Sequence, residues 1–178
     1  MTTSYVALLR GINVGGRSKL SMADLRAAFA DTGFDDVSTY IQSGNVLFRS
    51  SRSPAALPGA IEEVIDAAFG LTVRALLRTS TELADVVAHN PLATGGRDMS
   101  RLHVTFLAAA PAPPRVAALD SGPFLPDEFG VRGREIYLHC PGGYGRTKLN
   151  NTFFERTLEA VATTRNWKTV TTLADLSS

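Results

Sequence analysis

The order of apolar runs, prolines and glycines along the chain predicts an α+β fold with antiparallel sheets. Strands are indicated by short runs rich in Val, Ile and Leu, and helices by apolar residues spaced three and four positions apart. The first half of the chain follows the order strand, helix, strand, strand, helix, strand, and the second half repeats that order. This repetition indicates an internal duplication.

The first half contains predicted strands over residues 4–14, 37–42, 46–49 and 71–77. The first helix follows Ser21, which can cap it, and ends before Gly33, which supplies a left-handed stop. The second helix is opened by Pro58 and ends before Gly70. Because a short Ser-Gly-Asn turn joins the second and third strands, we expect those strands to form a hairpin.

With right-handed crossovers, this order folds into a four-stranded antiparallel sheet with two helices on one face, the ferredoxin-like arrangement. A connecting helix at residues 83–89 and a linker at residues 93–100 follow. We therefore predict two ferredoxin-like domains in tandem, over residues 1–92 and 93–178.

The second half contains predicted strands over residues 103–107, 129–132, 135–139 and 163–165. Its predicted helices cover residues 115–119 and 149–162, and a C-terminal helix covers residues 167–176. Trp167, the only tryptophan, opens that last helix. We expect its side chain to be largely buried and to hold the C-terminus against the body of the protein.

The composition is that of a globular protein with a sizeable core, since 44% of the 178 residues are hydrophobic. The single Cys140 excludes an internal disulfide and every multi-cysteine metal motif, which fits a reducing compartment, and we expect this thiol to be buried. No apolar stretch approaches the roughly 20 residues of a spanning helix, and the N-terminus lacks a signal peptide. These features predict a cytoplasmic protein that does not enter membranes.

Two basic, glycine-rich loops resemble each other. Residues 16–20 have the sequence Gly-Arg-Ser-Lys-Leu, and residues 145–149 have the similar sequence Gly-Arg-Thr-Lys-Leu. Backbone N–H groups, the positive end of a following helix and the basic side chains can converge on one anion in such a loop. If the two halves dock symmetrically, the two loops flank one cleft, and Lys19 and Lys148 then bind the same ligand.

Several other activities are disfavoured by the sequence. Residues 11–18 approach the Walker A pattern, but Arg17 stands where the phosphate-binding lysine belongs and no magnesium-binding aspartate follows a strand. The aromatic pattern of an RNA-recognition module is missing, and the net charge of +1 gives no general attraction to nucleic acid. The three histidines share no metal-binding spacing, and no acid–base pair is evident.

Four stretches of the chain resemble one protein family. They are residues 7–16, Ala-Leu-Leu-Arg-Gly-Ile-Asn-Val-Gly-Gly, residues 39–46, Thr-Tyr-Ile-Gln-Ser-Gly-Asn-Val, and the C-terminal Lys148-Leu149 with residues 164–169, Thr-Arg-Asn-Trp-Lys-Thr. In these stretches the chain resembles DUF1697, a family of uncharacterised bacterial proteins. The resemblance implies an α+β protein with an internal duplication and assigns no activity. Ser18 and Thr147 depart from the family pattern, in which we expect Asn and Ser.

We therefore expect a protein that binds a phosphate-bearing, nucleotide-like small molecule at its basic loops. The predicted ligand-binding residues are Arg10, Asn13, Gly15, Gly16, Arg17, Lys19, Gln42, Ser43, Asn45, Arg146, Lys148, Arg165 and Asn166. The alternatives are a nucleic-acid-binding module that uses the same loops, and an interaction protein without a ligand. The sequence predicts no metal site and leaves catalysis, cofactor and oligomeric state open.

Overall fold

The computed structural model describes residues 1–13 and 19–178. The predicted binding residues Gly15, Gly16 and Arg17 therefore lie outside the described residues. The protein is α+β, with two four-stranded antiparallel sheets. It divides into two compact units, which we call the first unit (residues 1–84 and 173–178) and the second unit (residues 85–172).

The sheet of the first unit has the strand order β2-β3-β1-β4. The elements that follow one another from the N-terminus are β1 (Thr3–Arg10), α1 (Met22–Ala30), β2 (Asp35–Tyr40), β3 (Asn45–Ser50), α2 (Leu57–Phe69), β4 (Arg74–Thr79) and α3 (Ser80–Ala88). Ser21 caps α1 as predicted, accepting a hydrogen bond from the N–H of Asp24. The first strand ends four residues before its predicted end, because Gly11 and Asn13 adopt φ angles of 80° and 56°, which are incompatible with a strand.

The core of the first unit forms where one face of its sheet packs against α1 and α2. Alternate β1 residues such as Ala7 and Leu9 point toward these helices and contact apolar side chains such as Phe29 and Ile61. The predicted helical faces of both helices are thus buried as the apolar spacing requires. This packing fixes the sheet, and with it the end of β1 from which the first basic loop leaves.

The sheet of the second unit has the strand order β6-β7-β5-β8. Its elements are β5 (Leu102–Leu107), α4 (Pro113–Ala117), β6 (Glu128–Arg132), β7 (Glu135–His139), α5 (Asn151–Leu158), β8 (Ala162–Asn166) and α6 (Trp167–Ser177), and α6 continues into the first unit. The helix α5 is shorter than predicted, because Glu159 adopts a left-handed φ of 53° and the chain enters β8 soon afterwards. None of the helices in the described ranges has the length and apolar character needed to cross a bilayer.

The last strand of each sheet contains a buried arginine at a matching place. Arg78 of β4 pairs with Val6 of β1, and Arg165 of β8 pairs with Val104 of β5. The two arginines are 1% and 7% exposed. Thr79 follows Arg78, and Asn166 follows Arg165. The side-chain oxygen of each of these residues accepts a hydrogen bond from a backbone N–H in the first turn of the next helix. The β1–β4 and β5–β8 strand pairs therefore have the same register around their buried arginines.

Two glycines, Gly33 before β2 and Gly44 in the β2–β3 hairpin, allow the cost of backbone strain to be separated from the cost of a steric clash. Gly33 and Gly44 both have a φ of 80°, but a Cβ on Gly44 would lie 3.0 Å from Leu9 Cβ, whereas a Cβ on Gly33 would meet nothing within 4 Å. We expect Gly33→Ala to lower the free energy of unfolding by about 1–2 kcal/mol, from the left-handed conformation alone. Gly44→Ala should cost clearly more, because it also pushes the hairpin away from β1. Urea unfolding followed by circular dichroism measures both, and equal losses would contradict the close approach of the hairpin to β1.

Candidate functional site

Asn13 closes the first basic loop at its base. Its Oδ1 accepts a hydrogen bond from the N–H of Leu20 at 2.7 Å, and its Nδ2 donates to the carbonyl oxygens of Leu20 at 3.1 Å and Gln42 at 2.7 Å. Both amide hydrogens and one carbonyl lone pair are thus used within the protein. The side chain ties the two ends of the loop together and attaches them to the β2–β3 hairpin.

The β2–β3 hairpin is braced from inside by its own polar residues. Asn45 is buried, and its Nδ2 donates to the Tyr40 carbonyl at 3.0 Å and to Ser43 Oγ at 2.9 Å. The Gly44 carbonyl accepts a hydrogen bond from the N–H of Leu9 at 2.9 Å, which joins the hairpin to β1. The structure therefore brings together two sequence stretches that were predicted to contribute to one site, and it does so through backbone and bracing contacts.

Two predicted binding residues beside the Asn13 side chain, which we call the clamp, are exposed, and one is partly exposed. Lys19 and Gln42 are exposed, and Arg10, at the end of β1, is partly exposed opposite Arg74 of β4. Lys19 makes no ion pair with any residue in the part of the chain that the structure describes. Lys19 thus presents a cation to solvent directly before Leu20, whose backbone is held by Asn13.

The second basic loop is held from inside while its cations stay exposed. Thr147 Oγ1 donates to the Asp127 carboxylate at 2.6 Å and accepts a hydrogen bond from the N–H of Leu149 at 3.1 Å. On either side of it, Arg146 and Lys148 are exposed, and neither forms an ion pair within residues 1–13 and 19–178. The loop is therefore fixed in place without neutralising its two cations.

A polar strip lies across β5 and β8 of the second unit, and we define it as His103, Thr105, Thr164 and Asn166. The strands pair so that His103 lies opposite Asn166 and Thr105 lies opposite Thr164. The two threonine hydroxyls are 2.7 Å apart, and Thr164 Oγ1 donates to Asn151 Oδ1 at 2.7 Å. Thr105 is fully buried, so this hydrogen bonding offsets the cost of removing its hydroxyl from water.

The matching positions of the first unit are occupied by less polar residues. There β1 and β4 place Tyr5 opposite Thr79 and Ala7 opposite Leu77, on the face that packs against the helices. A sheet face that serves only for packing is expected to be apolar, because buried polar groups lower stability unless they are bonded. The polar strip therefore distinguishes the second unit as the better candidate for a binding site.

A pocket of about 540 Å³ opens at the His103–Asn166 end of the polar strip. We call it the Trp167 pocket; it is lined by Met99, Ser100, His103, Asn166, Trp167, Lys168 and Thr171. The His103 ring stacks on Tyr144, with ring centroids 4.8 Å apart, and Tyr144 begins the 3₁₀ turn that ends at Arg146. The wall of the pocket is thus in contact with the second basic loop.

Arg165 does not line the Trp167 pocket, although Asn166 does. Neighbouring residues of a strand point to opposite faces of the sheet, so Arg165 lies on the other face of β8. There its guanidinium donates to Thr163 Oγ1 at 2.7 Å and to the Thr164 carbonyl at 3.0 Å, and burial lowers the pKa of Arg165 to about 10. The structure thus separates two predicted binding residues that are adjacent in the sequence.

The first 137 residues match the family model described as "Protein of unknown function (DUF1697)". The chain belongs to the DUF1697 family. A solved structure of the conserved bacterial protein SP0830 from Streptococcus pneumoniae is similar over 100% of both chains, with 25% sequence identity and a TM-score of 0.78. No curated protein matches the chain. The family resemblance inferred from the sequence is confirmed, and the matched residues include the first basic loop and the β2–β3 hairpin.

Some pocket residues of this DUF1697 protein were not predicted from its sequence. His103 sits in an apolar strand and gives no sequence signal of a site, yet burial lowers its pKa, so the imidazole that lines the pocket is neutral at pH 7. Trp167 is partly exposed in the pocket, where we expected a largely buried anchor. Only the pairing of β8 with β5, which places His103 opposite Asn166, could have revealed that His103 and Trp167 line the same pocket.

Metal and thiol chemistry find no support in the described residues of this DUF1697 protein. In the described ranges, no three His, Cys, Asp or Glu side chains are grouped so that they could hold a metal ion. Cys140 is buried, as expected, and burial raises the pKa of its thiol to about 11. A thiol with this pKa is protonated at neutral pH and is a poor nucleophile.

Because Asn13 acts as a clamp, we expect its substitution to destabilise the protein even when no ligand is present. Asn13→Gly keeps a residue suited to the left-handed φ of 56° but removes all three hydrogen bonds. We expect it to lower the free energy of unfolding by about 1–3 kcal/mol. Asn13→Ala should lose about 1 kcal/mol more, because alanine is strained in this conformation. Both are measured by urea unfolding, and an Asn13→Gly protein as stable as the wild type would show that the clamp is unimportant.

Proposed function

We propose that this DUF1697 protein binds a small phosphate-bearing, nucleotide-like ligand at its basic glycine-rich loops. The observation that supports this most strongly is the second loop, where Arg146 and Lys148 flank an anchored Thr147 and remain exposed. Arg and Lys donate strong, charge-assisted hydrogen bonds to phosphate oxygens. Because the loop is already held in place, binding costs less ordering than it would in a flexible loop.

The start of α5 adds to the positive character of the second loop. The helix begins at Asn151, soon after Lys148, and Asn150 caps it by accepting a hydrogen bond from the N–H of Phe153 at 2.9 Å. The N-terminal N–H groups of a helix carry partial positive charge, which favours an anion nearby. This supports a phosphate site at the second loop and does not by itself identify the ligand.

Lys19 of the first loop and Gln42 of the β2–β3 hairpin also support this proposal. Lys19 and Gln42 are accessible beside the clamp, whereas Ser43 and Asn45 brace the hairpin. The predicted roles of Gly15, Gly16 and Arg17 stay predictions, since these residues lie outside the described residues. The prediction that Lys19 and Lys148 bind one ligand involves both compact units and likewise stays a prediction.

We also propose that the two units are duplicated ferredoxin-like domains. The supporting observations are the identical strand orders and the buried Arg78 and Arg165 at matching positions. After a duplication, one copy can keep an apolar sheet face while the other acquires polar residues. The polar strip of the second unit is such a set of residues.

We further propose that the protein acts in a reducing compartment such as the cytoplasm, which agrees with its single cysteine, Cys140.

Charge removal at the second loop tests this function. We expect Lys148→Ala and Arg146→Ala each to weaken the binding of pyrophosphate and AMP by about 1.5–3 kcal/mol, since each removes a charge-assisted hydrogen bond. Isothermal titration calorimetry at low salt measures both. Arg156→Ala is the matched control, because Arg156 is an exposed cation on the surface of α5.

Two results would contradict the proposal. Unchanged affinity in both loop variants would show that the second loop does not bind phosphate. A short oligonucleotide that binds far more tightly than AMP, with an affinity that falls steeply as salt is raised, would favour the nucleic-acid alternative.

A further inference from the structure

The Trp167 pocket presents hydrogen-bond donors that have no partner among residues 1–13 and 19–178. Asn166 uses its Oδ1 to cap α6 through the N–H of Thr169 at 2.8 Å, and its amide N–H groups have no partner in the described part of the chain. Among the described residues, the Trp167 indole N–H and the Lys168 ammonium also have no partner. No carboxylate is among the described residues that line the pocket. The pocket is therefore suited to a ligand group rich in hydrogen-bond acceptors.

The walls of the pocket favour a flat ring. Trp167 and His103 are planar, and Met99 adds a flexible apolar contact. The His103 ring is held by its stacking on Tyr144, with an interplanar angle of 24°. A pocket of about 540 Å³ lies within the range of roughly 300–1,000 Å³ that is usual for small-molecule sites.

The pockets of the first unit have a different character. A groove of about 620 Å³ between α1 and α2 is lined by several alanines together with Asp31, Glu63 and Arg52. A smaller pocket of about 210 Å³ beside β2 is lined by Asp36 and Arg49, which form an ion pair at 3.2 Å. Both contain carboxylates, which repel the acceptor atoms of a ligand, whereas no carboxylate is among the described residues that line the Trp167 pocket.

We infer that the Trp167 pocket is the base subsite of a nucleoside monophosphate, with the ring against Trp167 and the phosphate at the second basic loop. This inference rests on the proposed function of that loop. Tyr144 connects the two parts, because it stacks on His103 in the pocket wall and begins the turn that carries Arg146. Aromatic stacking accepts every base, so the pocket sets the ligand class and not a particular base.

Trp167 is the only tryptophan in the chain, so its fluorescence reports directly on this pocket. The full chain is titrated with AMP, adenosine and pyrophosphate, and heat and fluorescence are recorded for each. AMP and adenosine should quench Trp167, with AMP binding at least tenfold more tightly. Pyrophosphate should bind without quenching.

Two variants test the donors of the pocket. Asn166→Asp keeps the oxygen that caps α6 but replaces the amide donors by a carboxylate, and it should weaken AMP binding at least tenfold. Lys168→Gln replaces the ammonium of an exposed side chain, so that folding is preserved, and it should weaken AMP and adenosine alike, because Lys168 lines the base subsite. Arg156→Ala should bind both as the wild type does, and thermal melting verifies that each variant is folded.

The outcomes separate this inference from the proposed function. If pyrophosphate and AMP bind equally well and neither changes Trp167 fluorescence, the base subsite is wrong and the phosphate loop survives. If AMP quenches Trp167 but Lys148→Ala and Arg146→Ala bind AMP normally, the pocket stands and the phosphate loop is wrong. If both pocket variants bind AMP as tightly as the wild type, the assignment of the pocket is overturned.

Discussion

The antiparallel pairing of β5 with β8 is the interaction on which the candidate site depends. Its register places His103 opposite Asn166 and, one residue away on the other face, Val104 opposite Arg165. Because side chains alternate between faces, a slip of one residue would exchange the two sets. The buried guanidinium would then enter the helix-facing side, and the polar strip would leave it. The register therefore decides both where the cation Arg165 is buried and where the pocket opens.

The polar residues of this DUF1697 protein divide into those that hold loops and those that remain available. The side chains of Asn13, Asn45 and Thr147 form hydrogen bonds within the protein, with donor–acceptor distances of 2.6–3.1 Å. The exposed cations Lys148 and Lys168 have no partner among the described residues. This division is physically reasonable, because a loop that is already ordered can present charge without a further entropic cost at binding.

The family match covers the first unit more fully than it covers the candidate site. The DUF1697 match ends at residue 137, whereas Tyr144, Asn166 and Trp167 follow it. SP0830 from Streptococcus pneumoniae has the same overall fold across its full length, and its description as a conserved bacterial protein carries no activity. The evidence for a ligand site in this protein therefore lies in its own residues, above all in the polar strip and the second basic loop.

Local chemistry in the sequence determined the order of the elements and many of their ends, because caps, prolines and left-handed glycines act within a few residues. Ser21 caps α1, and the hairpin turn before Asn45 lies where the Ser-Gly-Asn stretch indicates. The tertiary structure alone decided which distant polar groups meet. Asn13 finds the Gln42 carbonyl through the packing of a hairpin on β1, and His103 meets Asn166 through strand pairing. No local propensity encodes such contacts, since they arise only when separate strands are brought into register by the burial of their apolar faces.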